Sequence, residues 1–331
     1  MPAKDRPPVA RLEPASGELR VVLGMPVFEA GASLQDALRG LLRQTYDAYR
    51  LVLVDDASGD AATRAILEGA ARDPRVTVRR NRRRLGLSGN WQATLEAARE
   101  LHPGAELFAW AGHHDLWDEE WLATMVARLD ANPRAVLAYP LDARLDAAGL
   151  PRGAGTRPFS TVGETDPRRR VVAYAREGCA GSAIYGLVRM ASLERAGGFE
   201  RVLRPDRLVL AKLAVLGEFD QVPRVLWWRR ETGAPTVRRQ RAAIFPDGDR
   251  VAPRLPWPVA HVRILARWTM GRAPAASSLG AASIVASYVG PMLARDALQW
   301  VLERGLRVEA RLPHRVGASA RRLLGRPPRR A

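Results

Sequence analysis

The sequence predicts an α/β fold in which a mostly parallel sheet is flanked by helices. Short apolar runs with the length of buried strands alternate with segments whose apolar residues recur at helical spacing, from Leu19 to Tyr139. Glycine, proline or acidic residues close most of these runs, as expected where strands end in turns. A chain of 331 residues, 47% of them hydrophobic, can bury the core that such a sheet requires.

Apolar spacing, turn residues and capping residues together predict each element of the first half. A strand over Leu19–Leu23 is closed by Gly24 and Pro26. A helix then begins at Ser33, because Asp36 lies at the spacing of a capping box. The elements that follow are strand Leu51–Val54, a helix capped by Asp60, strand Val76–Val78, a helix from about Ser88, strand Leu107–Ala111, a helix over Trp121–Leu129 and strand Ala135–Tyr139. This order predicts parallel strands joined by crossover helices.

The second half is less regular. A Gly- and Pro-rich stretch from Leu145 to Pro158 predicts a long surface loop. The segments with strand or helix character after it are Val171–Ala175, Ala183–Arg189, a helix over Arg207–Leu216, Val222–Trp228, and amphipathic helices that include Val259–Trp268 and Ala297–Leu306. We therefore expect a disordered segment over residues 1–17, an α/β domain over 18–246 with halves 18–140 and 141–246, and a helical, basic C-terminal extension over 247–331.

The net charge of +17 implies an anionic partner, which could be nucleic acid, anionic lipid or a phosphorylated small molecule. No segment has the spacing of a helix-turn-helix, zinc-finger or RNA-recognition motif, so nucleic acid is not predicted. The first 16 residues lack the apolar core of a signal peptide, and Gly290 and Pro291 interrupt the most apolar later stretch. We expect a cytoplasmic protein whose extension either binds the inner face of an anionic membrane or packs on the domain.

The acidic residues at predicted strand ends form the most informative pattern. The chain lacks G-x-G-x-x-G, a Walker loop, G-x-S-x-G and H-E-x-x-H. Instead, Phe28-Glu29, Asp55-Asp56 and His114-Asp115 follow three different strands. Acidic side chains there would repel a bare phosphate. They suit a site in which one binds a base or ribose and another holds a divalent cation that bridges a diphosphate.

A series of segments together resembles the family 2 glycosyltransferases of the GT-A fold. The segments are Val22–Glu29, Leu42–Tyr46, Leu53–Asp60, Asn81–Leu87 and Ala109–Trp117, followed by Ala183–Arg189, Pro205–Arg207 and Trp228–Arg230, which resemble the acceptor-side half of bacterial members. The resemblance implies a GT-A domain over residues 18–246. It also implies that a sugar is transferred from a nucleoside-diphosphate sugar, UDP-linked, to an acceptor hydroxyl with inversion.

The resemblance also implies a set of nucleotide-binding residues. Pro26, Phe28 and Glu29 would line the nucleotide pocket, with Phe28 stacked on the base. Asp56 would hydrogen-bond the base, and Asp55 would support the turn that presents it. The alternative for both aspartates is a role in helix capping and turn formation.

The metal motif departs from the family pattern. Asp115 matches the carboxylate that contacts a divalent metal, Mn²⁺ or Mg²⁺, whereas His114 stands where members usually carry a second acid. Imidazole suits Mn²⁺ better than Mg²⁺, which favours oxygen ligands. Either metal affinity is therefore reduced, or His114 contacts ribose or phosphate directly. His113 is expected to be a solvent-exposed loop residue.

Two further positions concern the leaving group and the base. Many members have a histidine where this chain has Glu231-Thr232-Gly233, so Arg229 or Arg230 would neutralise the leaving diphosphate instead. Asp206 matches the catalytic base, which takes a proton from the attacking hydroxyl. Its structural alternative is an N-cap for the helix that begins at Arg207, and the two roles are compatible.

The expected partners are a nucleotide-sugar donor and a glycan or lipid-linked acceptor in cell-envelope or exopolysaccharide synthesis. A sugar nucleotidyltransferase is a weaker alternative, since Gly24–Gly31 lacks the basic residue of that class's loop. A GT-A binding or scaffold protein with impaired catalysis is the second alternative. His114 and Thr232 favour the scaffold protein, whereas Asp115 and Asp206 favour the enzyme.

Overall fold

The computed structural model describes residues 19–146, 149–155, 158–177, 180–230, 237–246, 256–271 and 280–294. The strands are β1 Val21–Val27, β2 Tyr49–Asp55, β3 Val76–Arg80, β4 Leu107–Trp110, β5 Leu116–Trp117, β6 Ala135–Leu145, β7 Pro151–Ala154, β8 Leu187–Arg189 and β9 Glu218–Arg230. The helices are α1 Ser33–Leu42, α2 Ala61–Ala70, α3 Gly86–Leu101, α4 Trp121–Ala131, α5 Pro167–Glu177, α6 Ala180–Ala183, α7 Met190–Ala196, α8 Pro205–Leu216, α9 Val237–Ile244 and α10 Trp257–Gly271. Residues 280–294 are also helical.

Some sequence predictions fall outside this part of the chain. They concern the disordered segment over 1–17, the helix over 297–306 and the basic tail. Thr232, on which the scaffold alternative partly depends, also lies outside the described residues. The boundaries at 18, 141 and 247 stay predictions.

The sheet of the described residues has the order β3-β2-β1-β4-β8-β6-β9-β5, with β7 beside β6. Strand β1 is parallel to β2 and β4, and β2 is parallel to β3. The carboxyl ends of these strands therefore share one edge, as predicted. The rest of the sheet is mixed, because β9 runs parallel to β6 whereas β8 runs antiparallel to both β4 and β6. An apolar run predicts a strand but not its direction.

The predicted loop after Leu145 is partly wrong. Strand β6 extends to Leu145, and β7 returns antiparallel to it within the Gly- and Pro-rich stretch. The chain therefore turns back as a hairpin on the sheet before it reaches α5. Glycine and proline marked the turn but did not reveal that the flanking residues pair.

Strands β1 and β2 are buried on both faces between two apolar layers. Successive residues of β1 alternate between them, with Val22 in one layer and Val21 and Leu23 in the other. Strand β2 alternates in the same way. Burial on both sides explains why these strands appear in the sequence as continuous apolar runs.

Capping differs between the first two helices. Asp60 caps α2 as predicted, since its Oδ1 accepts the Thr63 backbone N–H at 2.7 Å. The capping box predicted for α1 is wrong. Ser33 already lies inside the helix, and its hydroxyl donates to the Ala30 carbonyl at 2.8 Å. The N-cap position is Ala32, and no side chain caps the first turn.

The C-terminal helices pack on the domain. In α10, Leu265 is fully buried, and the Trp268 indole N–H donates to the Arg195 carbonyl at 2.7 Å. In the helical residues 280–294, Tyr288 and Met292 belong to the same apolar layer as α8. No helix in the described part of the chain is long and apolar enough to cross a bilayer. This packing is the alternative to membrane binding that the sequence left open, and it uses the apolar face of α10.

Candidate active site

A cavity of about 230 Å³ lies at the carboxyl ends of β1, β2 and β4. Its walls come from the loops that follow these strands, from the start of α3 and from the end of α9. The residues that line it include Pro26, Phe28, Asp56, Arg84, His113, His114 and Tyr185. This is the edge of a parallel sheet at which ligands collect, as the sequence predicted.

An aromatic ring and a guanidinium group form one wall of the cavity. The Arg84 guanidinium carbon lies 4.0 Å from the centroid of the Phe28 ring. Arg84 belongs to the arginine run that follows β3, so this residue of the run faces the cavity. The pair presents a flat apolar surface and a positive charge side by side.

Asp56 lines the cavity and holds the loop between β3 and α3. Its Oδ1 accepts from the Leu85 backbone N–H at 2.7 Å and from the Asn81 amide at 2.9 Å. Its Oδ2 accepts from the Gly86 N–H at 2.8 Å. Because each carboxylate oxygen has two acceptor positions, Oδ1 is saturated and Oδ2 can accept one further hydrogen bond. Asp56 is therefore a loop anchor with one remaining site for a ligand.

Glu29 and Asp55 are not among the residues that line the cavity. The Glu29 carboxylate accepts the Gly59 N–H at 2.7 Å. Asp55 is 1% exposed; it accepts the Ser58 N–H at 3.0 Å and pairs with Arg80. These contacts fix the turns after β1 and β2, which corrects the prediction that Glu29 lines the pocket and limits Asp55 to its supporting role.

Asn90 is a residue that the sequence reasoning missed. It lies in α3, and its amide donates to the Val27 carbonyl at 3.2 Å and to the Val54 carbonyl at 3.0 Å. Its carbonyl accepts from Asn81 at 3.0 Å. One buried side chain thus ties the ends of β1 and β2 to the loop that Asp56 anchors. An asparagine on the buried side of an apolar helix was the available signal.

Asp115 is fully buried beside the cavity. Its Oδ1 accepts the backbone N–H of Arg230 at 3.2 Å, whereas its Oδ2 accepts no hydrogen bond from the described residues. Burial raises the pKa of Asp115 to about 6, against the Arg230 N–H and the charge of Arg229. Gly112 leaves room for this carboxylate, since a Cβ there would lie 2.4 Å from Oδ2.

The two histidines of the motif are neutral at pH 7. Burial lowers the pKa of His113 and that of His114 to about 4, and the charge of Arg229 further lowers that of His114. His113 Nδ1 lies 3.2 Å from the Pro26 carbonyl, which can only accept, so Nδ1 carries the proton. The expectation that His113 is a solvent-exposed loop residue is therefore wrong. It is partly buried and connects the metal motif to β1.

The ligand set does not fit a divalent cation held by the protein alone. Asp115 Oδ2 is a buried carboxylate oxygen that could bind one. His114 Nε2 lies 3.5 Å from Asp115 Oδ1, and the Arg230 main chain covers the same oxygen. The described residues contain no group of three His, Cys, Asp or Glu side chains placed to hold a metal. A hard cation normally takes about six oxygen ligands.

The two consecutive arginines at the end of β9 have different surroundings. The Arg230 guanidinium donates to the His114 carbonyl at 3.3 Å and forms an ion pair with Asp36 at 3.6 Å. It therefore clamps the metal motif to α1. The charges of both arginines lower the pKa of His114, but only the charge of Arg229 also lowers the pKa values of Asp115 and Asp206. Arg229 is the one placed among the acidic side chains of the site.

Asp206 lies at the start of α8, immediately after Pro205. The predicted N-cap role is wrong, because the cap is Arg204 and Asp206 already belongs to the first turn. Burial raises the pKa of Asp206, and the charges of Arg207 and Arg229 oppose this rise. A carboxylate with a raised pKa is a stronger base once it has lost its proton.

Tyr185 joins the two sides of the site. Burial raises its pKa, and the charges of Asp115 and Asp206 add to the rise, so it lies near both carboxylates. Its ring packs against Trp227 at 4.8 Å and against Trp91 at 5.5 Å. Tyr185 lies in a segment that resembles the family, but its sequence position alone indicates no role. Its position in the cavity depends on tertiary packing.

Comparison with known proteins identifies the domain. Residues 23–182 match the family model described as Glycosyl transferase family 2. This matched segment, just under half of the chain, is similar to that family. The match includes the segments that carry Asp56 and Asp115, and it ends before Tyr185, Asp206 and Arg229. It therefore covers the strand ends at which the cavity lies but not the later residues of the site.

Two kinds of similarity accompany the family match. A stretch of 136 residues is 30% identical to the uncharacterized protein y4gI of Sinorhizobium fredii, and it covers 40% of this chain and only 14% of that protein. The crystal structure of S. aureus TarS 1-349 has a TM-score of 0.56 at 17% identity, over 83% of this chain and 72% of the other. TarS 1-349 in complex with UDP has a TM-score of 0.54 at 15% identity, over 82% and 70%. These structures confirm the predicted GT-A fold of the glycosyltransferase.

Proposed function

We propose that this protein transfers a sugar from a UDP-sugar to an acceptor hydroxyl with inversion at the anomeric carbon. One observation carries the proposal. Tyr185 lines the cavity at the strand ends, burial and the charge of Asp206 raise its pKa, and the charge of Arg229 lowers the pKa of both Tyr185 and Asp206. A donor in the cavity would then place its sugar between Arg229, next to which its diphosphate would lie, and Asp206, the catalytic base.

The acceptor capacity of Asp56 supports a uracil base. Uracil presents a single ring N–H donor, which matches the single acceptor position left on Asp56 Oδ2. Guanine presents two neighbouring donors along the same edge, and a bidentate contact would need Oδ1, which Asn81 and Leu85 already saturate. The ring of Phe28 would stack on the face of the uracil ring. The structurally similar TarS 1-349 was crystallised with UDP, which supports the same choice.

Positive charge at the leaving diphosphate comes from Arg229 in this proposal. Fixed charges at the point where negative charge develops are among the largest contributions to catalysis. A Mn²⁺ or Mg²⁺ ion, which the family resemblance implies, would find Asp115 as its carboxylate ligand in the described residues. No step of the proposed reaction depends on such an ion. Arg230 holds both residues of the motif, because its backbone N–H donates to Asp115 and its guanidinium donates to the His114 carbonyl.

The reaction is a single displacement. The acceptor oxygen attacks the anomeric carbon from the face opposite the diphosphate, and its proton passes to the carboxylate of Asp206. The bond from the anomeric carbon to the diphosphate oxygen breaks as the new bond forms. UDP leaves with its negative charge beside Arg229, and the configuration at carbon is inverted.

The acceptor and the location of the enzyme extend the proposal. The net charge of +17 suits an acceptor attached to an anionic lipid or glycan of the cell envelope or an exopolysaccharide, reached from the cytoplasmic face. Arg263, Arg267 and the largely exposed Met270 lie on the outer side of α10. They could touch a bilayer surface while the opposite face of the helix stays packed on the domain.

A scaffold that binds the donor without turnover is the second candidate, because the described ligand set at Asp115 is incomplete. Calorimetry with UDP, TDP, GDP and ADP, followed by hydrolysis assays on the sugars of the preferred nucleotide, separates the two. The enzyme should prefer UDP or TDP by about tenfold or more over GDP, since one bidentate contact is worth about 1–3 kcal/mol. It should also release sugar slowly in the absence of an acceptor. A preference for GDP would overturn the donor assignment, and tight UDP binding without any turnover would favour the scaffold.

A further inference from the structure

The segment that carries Asp206 has an unusual backbone conformation. Arg204, two residues before it, has φ 56 and ψ 49, in the left-handed region that residues other than glycine rarely adopt. Such a conformation persists where surrounding contacts determine it, and it is often found next to functional groups. We call residues 201–206 the base loop. The contacts that hold it come from outside the part of the chain that matches the family model.

A buried histidine in α10 holds the backbone of the base loop. His261 is fully buried, and its Nε2 lies 2.9 Å from the Leu203 carbonyl. Its Nδ1 lies 2.9 Å from the hydroxyl of Tyr288 in the helical residues 280–294. A carbonyl can only accept, so Nε2 donates to Leu203 and Nδ1 accepts from Tyr288. The tautomer is thus fixed by a relay from Tyr288 through His261 to the base loop.

The environment of His261 keeps it neutral. Burial lowers the pKa of His261 to about 4 against the hydrogen bond to Leu203, and the charges of Arg207, Arg204 and Lys212 lower it further. These three cations and the Tyr288 hydroxyl are the titratable groups that face the imidazole from α8, the base loop and the 280–294 helix. At neutral pH the relay therefore exists in a single protonation state.

An aromatic side chain holds the base loop from the same direction. The Trp257 ring lies 4.6 Å from the Arg204 guanidinium carbon and 5.9 Å from that of Arg207, so it contacts the residues on both sides of Pro205-Asp206. Trp257 also meets His261 edge to face at 5.0 Å. Cation–π contacts at these distances restrain both arginines.

The opposite side of the base loop contacts the donor side of the site. The Leu203 side chain packs against Ile244 and Phe245, which are almost fully buried. These residues follow Ala243, which lines the donor cavity, and they lie over Gly86 of the loop that Asp56 anchors. Leu203 therefore has its carbonyl held by the C-terminal helices and its side chain held by the end of α9.

We propose that His261, Tyr288 and Trp257 are positioning residues that hold Arg204 in its left-handed conformation and thereby aim Asp206 at the donor cavity. The C-terminal helices are then a working part of the acceptor side of the enzyme. This inference rests on the proposed role of Asp206 as the base. A base displaced by about 1 Å can lose on the order of a hundredfold in rate without any change in donor binding.

Substitution of His261 separates positioning from packing. His261→Leu keeps an apolar side chain but removes the donor to Leu203, whereas His261→Gln places an amide N–H near the position of Nε2. We expect His261→Leu to lower kcat by roughly ten- to a hundredfold with UDP affinity within about twofold of the wild type. His261→Gln should recover most of the loss, and Tyr288→Phe should show a smaller loss. His102→Leu, at the far end of α3, is the matched control and should change neither quantity.

Hydrogen exchange of the base loop tests the inference independently of activity. The backbone amides of Leu203, Arg204, Asp206 and Arg207 should exchange faster in His261→Leu than in the wild type or His102→Leu. Unchanged exchange in His261→Leu would overturn the inference, even if the wild type proved inactive and the proposed function failed. Wild-type kcat in His261→Leu would also overturn it, as would parallel losses of kcat, UDP affinity and melting temperature in both His261 variants.

Discussion

The two halves of the site are held together in different ways. On the nucleotide side, Asp55 and Asp56 at the end of β2 are held by the segment that follows β2 in the chain: Asp56 bonds to Leu85, 29 residues away, and Asp55 to Arg80, 25 residues away. On the acceptor side, the loop before Asp206 is fixed by His261, which lies 58 residues beyond Leu203 and in a different helix. The family match covers the first arrangement and stops before the second. The turn that carries Asp55 and Asp56 is therefore held by contacts within the first 90 residues, whereas the proposed position of Asp206 depends on contacts with the C-terminal helices.

This difference predicts that a substitution can lower turnover without weakening donor binding. The largest loss of turnover should come from substitution of Asp206, the proposed catalytic base. Asp206→Asn removes the proton acceptor but keeps a side chain of the same shape in the first turn of α8. We expect turnover to fall by roughly 10²–10⁴-fold, the range for loss of a general base. UDP affinity should stay within about twofold, because Asp206 is not part of the cavity lining.

The matched control for this variant is Asp166→Asn. The Asp166 carboxylate accepts the Arg168 N–H at 2.8 Å near the start of α5, and an asparagine oxygen can do the same. Neither turnover nor UDP binding should change in the control. Wild-type turnover in Asp206→Asn would remove the base from the mechanism. Equal losses of turnover and UDP binding would show that the two halves are not separable.

A smaller effect, on folding stability, is expected for a substitution on the nucleotide side. Gly112→Ala would place a Cβ 2.4 Å from Asp115 Oδ2, whereas Gly104→Ala, at the end of the loop before β4, meets no atom within 4 Å. Overpacking of this kind costs roughly 1–3 kcal/mol of unfolding free energy. Urea unfolding should show this loss for Gly112→Ala and a change of less than about 0.5 kcal/mol for Gly104→Ala. Equal stabilities would mean that Asp115 moves freely and is not held in its buried position.

The same difference between local and distant contacts explains how much of the molecule could be predicted. The strands of the nucleotide half and the Asp60 cap follow from nearby residues, and the structure shows them close to their predicted positions. The direction of β8 and the β7 hairpin depend on pairing between distant segments, which apolar spacing does not encode.

Site residues follow the same rule. Pro26, Phe28, Asp56 and His114 line the cavity because each lies at or just after the end of a strand. Whether such a side chain faces the cavity or turns away from it depends on hydrogen-bond partners from elsewhere in the chain. Glu29 is drawn away by the Gly59 N–H, and His113 is held inward by the Pro26 carbonyl.

The residues of the acceptor side show the limit most clearly. Tyr185 gained its place in the site from packing against Trp91 and Trp227, and Arg230 differs from Arg229 only through its contacts with Asp36 and His114. No spacing in the sequence connects these pairs. A family resemblance could mark the positions but could not assign them different tasks.

The stereochemistry of the product tests the central claim most directly. Proton NMR can follow the anomeric signal when the wild-type protein is supplied with an α-linked UDP-sugar that it binds, with water or an added glycan as the acceptor. A single displacement assisted by Asp206 predicts that the first product formed is the β-anomer, before any mutarotation. An α-anomer as the first product would contradict the account, because it requires either two displacements or attack from the same face as the leaving UDP.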